Sequence, residues 1–429
     1  MKIKIFRAIG PLIAALALVG LLIFLPINVG MKYSKDQLVK FAQSPLNTPS
    51  FTGYSIKKQA YSDPEFLPVL GSSEMEHVDS FHPSAYFKKY NSGFKPFLVG
   101  QPGTTTLTHF FYMNSVANEL KNRKIVFVIS PQWFSKQGIV ESELKNFVSK
   151  GEIYGWLKEA DPKENTTTQL AKHLLRFRSL KSEETIYNSL ERLADKKPLT
   201  ALQKMTVATN LQFWRKEDLL FSSVSQFTAQ PLGLTPKINK FAKELPNDPT
   251  SENLEKLAVD QGKDSSNNNP FQINNKVWDK KIKSKYKHLE NYKKHVSYLE
   301  SPEYQDFQQL LNVFAKNNND VLFVIQPVNG SWSSYTGVSK ATLENFSSKI
   351  KTQLRSQGFY QIADLTDMYN TPYASGDTVH FGTKGWLATD KAIEKFMKTP
   401  SKVNYHIDNS LFLSKDWAMN GVIIVLVMP

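Results

Sequence analysis

A serine hydroxyl becomes a nucleophile when a tight turn exposes it beside an imidazole whose second nitrogen is held by a carboxylate. This 429-residue chain supplies those groups in two distant places: Gly71-Ser72-Ser73, directly after the apolar run Phe66–Leu70, and Asp377-Thr378-Val379-His380, late in the sequence. Gly71 permits a sharp turn at the end of a strand, and the backbone N–H groups that follow can receive an oxyanion. Asp377 and His380 are close enough in sequence for one loop to aim both at a single serine. With no cysteine in the chain, thiolate catalysis, disulfides and Cys-ligated zinc are excluded.

Other ionisable groups invite weaker readings. Glu76, His77, Asp79 and His82 imitate a metal site, but their spacing matches no defined ligand set, so no metal and no cofactor are expected. His109, His173, His288, His295 and His406 are expected to be packing or surface residues. The strongest basic stretch comprises Lys280, Lys281, Lys283, Lys285, Lys287, Lys293 and Lys294, interleaved with Tyr286 and Tyr292. It reads either as a solvated helix face or as a surface for a polyanion such as polyglycerol phosphate or anionic lipid. The excess of 53 Lys+Arg over 39 Asp+Glu, a formal charge of +14, favours polyanionic partners in general without choosing among them.

The elements that must position the serine and the histidine read as an alternating β/α series. Phe66–Leu70, Lys124–Ser130 and Val321–Ile325 are short runs, apolar on both faces, as in a parallel sheet covered by helices. Helical spacing is expected over 104–120, 340–357 and 385–397, and a further strand over 359–365. Between the sheet's halves, about 141–317 is rich in helix formers and is expected to be a helical insertion, with a polar loop at Asp264–Asn269. The fold class is therefore α/β, a parallel sheet flanked by helices.

Residues 8–31 carry no charge and are long enough to cross a bilayer, with Lys2, Lys4 and Arg7 before them. An uncleaved single-pass anchor is expected, its N-terminus cytoplasmic and the main domain (62–420) outside, joined by a polar stalk over 32–61 with weak helical character at 34–42. A cleavable signal peptide is the competing reading, but Ala15-Leu16-Ala17 lies inside the apolar run. An extracytoplasmic location makes nucleic acid a poor partner. The apolar tail 421–429 is too short to span a bilayer, and its role is left open.

Gly-x-Ser early and Asp-x-x-His late, flanking parallel strands, resemble the SGNH hydrolase superfamily, whose sheet is flavodoxin-like. A longer string is similar to the DltD family of teichoic acid D-alanylation. It comprises the N-terminal anchor, Leu70-Gly71-Ser72-Ser73-Glu74, Phe81-His82-Pro83, the Gly100–Gly103 loop, Ser130-Pro131-Gln132-Trp133-Phe134 and His380-Phe381-Gly382-x-Lys384-Gly385-Trp386. The resemblance implies Ser73 as nucleophile, His380 as general base and Asp377 as its orienting partner, with Ser72 the other candidate serine. It implies oxyanion donors at the Ser73 amide and the Gly103 loop. Related hydrolases place a catalytic Asn after a middle strand, where this chain has Pro131-Gln132, so Gln132 is a candidate substitute. The implied role is D-alanylation of lipoteichoic acid at the membrane of a Gram-positive cell, by acyl transfer or by ester or thioester hydrolysis. The implied partners are the polymer, a membrane-bound O-acyltransferase and a D-alanyl carrier protein. A generic cell-surface O-acyl esterase and a non-catalytic scaffold that binds the acyltransferase and polymer remain the alternatives.

Overall fold

Five short strands pair in parallel in the order β2-β1-β3-β4-β5: β1 Phe66–Leu70, β2 Lys95–Val99, β3 Lys124–Ile129, β4 Asp320–Ile325 and β5 Ile362–Asp364. The structure is a computed structural model that describes residues 32–228 and 233–420, together with isolated positions between Gly10 and Gly20. β3 and β4 pair from Lys124↔Asp320 to Ile129↔Ile325, and β1 meets β3 at Val69↔Val126 and Leu70↔Phe127. Because side chains alternate across a strand, each strand feeds two cores. Phe66, Leu70, Ile125, Phe127, Ile129, Phe323 and Ile325 pack under the helices Thr106–Ser115, Glu303–Lys316 and Lys340–Arg355. Leu67, Val69, Val126, Val128, Leu322 and Val324 pack against Pro83–Lys89 and Thr383–Lys398. Full burial of such side chains contributes about 1.5–3 kcal/mol each, which is what holds a sheet of only three to six residues per strand.

The order 2-1-3-4-5 reverses its winding between β1 and β3. In doubly wound sheets ligands bind in the crevice outside the carboxyl ends at that reversal. Gly71-Ser72-Ser73 leaves β1 at this point. The edge strand β2 does not stand out in the sequence, because Lys95-Pro96 breaks its apolar run. Proline is tolerated there because β2 pairs with β1 alone, so the missing N–H leaves no ladder bond unmade.

Residues 141–316 between β3 and β4 are predominantly helical and embrace the sheet from both sides. Lys150–Glu159 and the long helix Ala201–Thr228 lie toward the first core, while Thr235–Glu244 and Ser251–Ser265 pack on Pro83–Lys89 and Thr383–Lys398. The lysine-rich stretch is not one continuous helix. It runs through single turns at Asn275–Val277, Trp278–Ile282 and Tyr286–Leu289, draped over a small aromatic core of Phe271, Trp278, Trp332 and Tyr335.

The expected stalk is corrected by the structure. Residues 35–61 form the helices Lys35–Ala42, Thr48–Thr52 and Tyr54–Tyr61, which bury Leu38, Phe41, Phe51, Ile56, Ala60 and Tyr61 in the first core. The first of these helices matches the weak helical character expected at 34–42, while the polar, Pro- and Ser-containing composition of the segment masked its burial. The segment is also clamped by charge: Asp218 accepts from the Tyr54 and Ser55 amides, and buried Lys57 pairs with Glu152 at 2.8 Å beneath the Tyr112 ring. Removing one partner of a buried ion pair strands the other charge, so Lys57→Met is expected to destabilise the protein by about 3–5 kcal/mol. The double variant Lys57→Met, Glu152→Leu is expected to regain most of that loss in chemical denaturation. A single variant with wild-type stability would contradict the clamp.

The expected anchor (8–31) and the apolar tail (421–429) lie outside the described residues, apart from the isolated positions named above. No described helix is long and apolar enough to cross a membrane.

Candidate active site

The site is built from the two loops that follow β1 and precede the helix Thr383–Lys398. β1 ends where Gly71 N–H donates to Val99 O, and the chain then enters a 3-10 turn, Ser73–Glu76. Gly100 makes this possible: a Cβ there would lie 2.6 Å from the Gly71 carbonyl carbon, so the two strand ends could not close up. The Gly71 carbonyl is pinned from behind by the Thr104 hydroxyl at 2.9 Å and by His109 Nε2 at 2.6 Å. Burial holds His109 at about 4, so it is neutral and donates from Nε2. His109, expected to be a packing residue, is thus a buttress of the serine turn.

The two serines separate cleanly. Ser72 is buried; its hydroxyl donates to Gln101 O at 3.1 Å, and its amide donates to Glu74 Oε1 at 2.7 Å. Ser73 Oγ instead lies 2.8 Å from His380 Nε2, and His380 Nδ1 lies 2.7 Å from Asp377 Oδ2. Asp377 Oδ1 accepts from the Val379 and His380 amides at 2.8 and 2.9 Å, which locks the carboxylate across its own loop. The loop is held in turn by Ser375, whose hydroxyl donates to His380 O, and by Gln326 Nε2, which donates to Val379 O.

The electrostatics are those of an ionised carboxylate supporting an imidazole. Burial raises the Asp377 carboxyl, but its bond to His380, the imidazole's charge and the two loop amides outweigh this and hold it well below the usual range. Burial alone would lower His380; Asp377, then Glu74 and Glu76, reverse that and raise it above the ordinary histidine value. Nδ1 is therefore the protonated nitrogen of the neutral ring, which leaves Nε2 free to accept from Ser73.

His77 was legible only as part of a metal imitation, and its position differs. Its ring stacks on His380 with centroids 3.8 Å apart and planes 19° from parallel. Although one edge is exposed, lost solvation and then the charge of His380 keep it below the ordinary histidine range. The rest of that imitation disperses: His82 Nδ1 accepts from Ser84 N as a helix cap, and Asp79 Oδ1 accepts from Phe81 N. His77, Asp377 and His380 do bring ligand atoms within 4.8 Å of one another. Both His380 nitrogens are already engaged by Ser73 and Asp377, so within that set only His77 has imidazole nitrogens without a hydrogen bond among the described residues.

Gly103 sits at φ +96 in the turn Gln101–Thr104, a left-handed conformation that favours glycine. The amides of Ser73 and Gly103 have no partner among the described residues. Gln132 is exposed and lines a small crevice with Gln326, Thr378, Val379 and Lys293 rather than the larger cavity at His380. That larger cavity, of about 650 Å³, opens beside the triad and is bordered by Glu76, His77, Lys237, Glu244, Asp377 and His380. Lys280, Lys281, Lys283, Lys285, Lys287 and Lys294 are exposed, while Lys293 is half-buried over the Tyr292 ring. The charge of Lys281 reaches both Glu76 and His77, although none of the lysines of 280–294 lines the triad's cavity.

Comparison with known proteins agrees with the pattern of motifs. The family model described as DltD protein matches residues 43–398. The chain is 33% identical over 424 residues to Protein DltD of Lacticaseibacillus rhamnosus, covering 96% of each. It is 34% identical over 397 residues to Protein DltD of Bacillus subtilis (strain 168), covering 92% of this chain and 98% of the relative. Protein DltD of Staphylococcus aureus (strain NCTC 8325 / PS 47) is 26% identical over 399 residues, 93% and 97% of the two chains.

Proposed function

The chain belongs to the DltD family of teichoic acid D-alanylation, and from that premise we propose that it is a serine acyltransferase of SGNH-hydrolase type, moving D-alanyl groups onto lipoteichoic acid. The single observation that carries the reading is the unbroken chain Ser73–His380–Asp377 at the carboxyl end of β1.

His380 Nε2 takes the Ser73 proton as Oγ attacks the carbonyl of a D-alanyl ester or thioester. The tetrahedral oxyanion is received by the unpaired amides of Ser73 and Gly103, with Gln132 outside that arrangement. His380 returns the proton to the leaving alcohol or thiol, and a D-alanyl ester remains on Ser73. A glycerol hydroxyl of the polymer then gives its proton to His380 and attacks that ester, which restores Ser73. Water in the same position makes the protein an esterase. The proton transfers use the Ser73–His380–Asp377 contacts already in place.

In this reading an N-terminal anchor holds the domain on the outer face of the membrane. There it meets the lipid-linked polymer, a membrane-bound O-acyltransferase and the route from the D-alanyl carrier protein. The exposed lysines of 280–294 attract the polymer's phosphates, an attraction that added salt weakens. The test is the D-alanine ester content of teichoic acid in cells whose only copy carries Ser73→Ala at wild-type abundance. Content as low as in cells lacking the protein is expected. Wild-type content would sink the catalytic reading and leave a scaffold.

A further inference from the structure

We propose that Glu76 is the counter-ion for the α-ammonium group of the acyl donor and is the residue by which the site selects aminoacyl esters over neutral acyl esters. The inference rests on the serine acyl-transfer reading above. A 3-10 helix has three residues per turn, so side chains at i and i+3 eclipse. Ser73 and Glu76 are the first and last residues of such a turn, which puts the carboxylate on the nucleophile's own face.

Glu76 is half-buried in the cavity beside His380, yet its carboxylate makes no hydrogen bond or ion pair among the described residues. Apart from Asp264, which is exposed, its acidic neighbours in the cavity are otherwise occupied. Asp79 accepts from Phe81 N, Glu244 accepts from Ser80 and Gln261, and Asp377 serves His380. Burial raises the Glu76 carboxyl, while the charges of His380, Lys237 and Lys281 favour its ionised form. A half-buried carboxylate without a partner is costly to keep, and a cationic donor on the substrate is the partner that would satisfy it. In an alanyl ester the ammonium lies two bonds from the carbonyl carbon that Ser73 attacks, on the portion of the acyl group that must enter the site. Lys237 and Lys281 lie beyond ion-pair distance of Glu76 and do not neutralise it directly.

The experiment compares kcat/KM of the full-length protein for aryl esters of D-alanine and of isobutyric acid, in which a methyl group replaces the ammonium. Turnover by Ser73→Ala is subtracted throughout. Wild type is expected to prefer the alanyl ester, and Glu76→Gln to reduce that preference roughly 10- to 100-fold, the alanyl ester losing that much more than the isobutyryl ester. Glu76→Asp, which keeps the charge, is expected to retain part of the preference and shows that the turn folds. The ratio matters because Glu76 also raises His380, an effect felt equally by both esters. An unchanged ratio in Glu76→Gln, or an equal loss for both esters, overturns the assignment. Absence of Ser73-dependent turnover of either ester by wild type overturns the acyl-transfer reading instead, and the assignment with it.

Discussion

Ser73→Ala is expected to lower the turnover of a D-alanyl ester by on the order of 10⁶-fold, His380→Ala to do so equally, and the double variant to be no worse than either. The reason is that the two side chains act as one device across 2.8 Å: the hydroxyl is inert without the base, and the base has nothing to activate without the hydroxyl. No neighbouring group takes over. Ser72, the adjacent hydroxyl, is buried and committed to Gln101 O. His77 lies against the face of His380 rather than at its Nε2, where the Ser73 proton must go. What remains in each variant is the contribution of the oxyanion amides and of binding. Single-turnover kinetics on the three variants measure this directly. Additive losses would mean that Ser73 and His380 serve separate steps.

Asp377→Asn is expected to lower kcat by about 10⁴-fold while the protein folds and melts as wild type. The amide oxygen can keep the two bonds from the Val379 and His380 amides, so the loop survives. The amide nitrogen then takes the position of Oδ2 and donates to His380 Nδ1. That forces the ring proton onto Nε2, which now donates to Ser73 instead of accepting from it. The same substitution removes the charge that stabilises the imidazolium formed during attack. A loss below about tenfold would show that the carboxylate is a loop staple and no more.

The triad was legible from the joint order of two motifs that are each weak alone, set at opposite ends of an α/β pattern, and from the family likeness. β1 is a short apolar run that stops at a glycine, and Asp377 and His380 share one loop, so their pairing needs no long-range information. The middle strands β3 and β4 were equally plain, since both faces are buried and nearly every residue is apolar. What could not be read depends on tertiary contact. The choice of Ser73 over Ser72 came from the family pattern, but its physical basis, a 3-10 turn that rotates one hydroxyl toward His380 and the other toward Gln101, did not show in the sequence. The same turn decides that Glu76 faces the cavity, and helix type is not written in four residues. The stack of His77 on His380 joins positions 303 apart with no motif to mark it. Residues 35–61 read as a stalk with weak helical character only at 34–42 because polar side chains dominate the segment and because Lys57, a charged residue, is among the most buried of them. The lysines of 280–294 read as a helix face by composition, whereas the aromatic core beneath them folds the segment into separate turns.

The most direct test of the account is to trap the acyl-enzyme. The full-length protein is exposed to a D-alanyl thioester without polymer acceptor, quenched in acid and mapped by peptide mass spectrometry. The account predicts a D-alanyl adduct on Ser73, absent in His380→Ala and released when glycerol phosphate polymer is added before the quench. Turnover of the thioester with no adduct on Ser73, or an adduct on another residue, would contradict it.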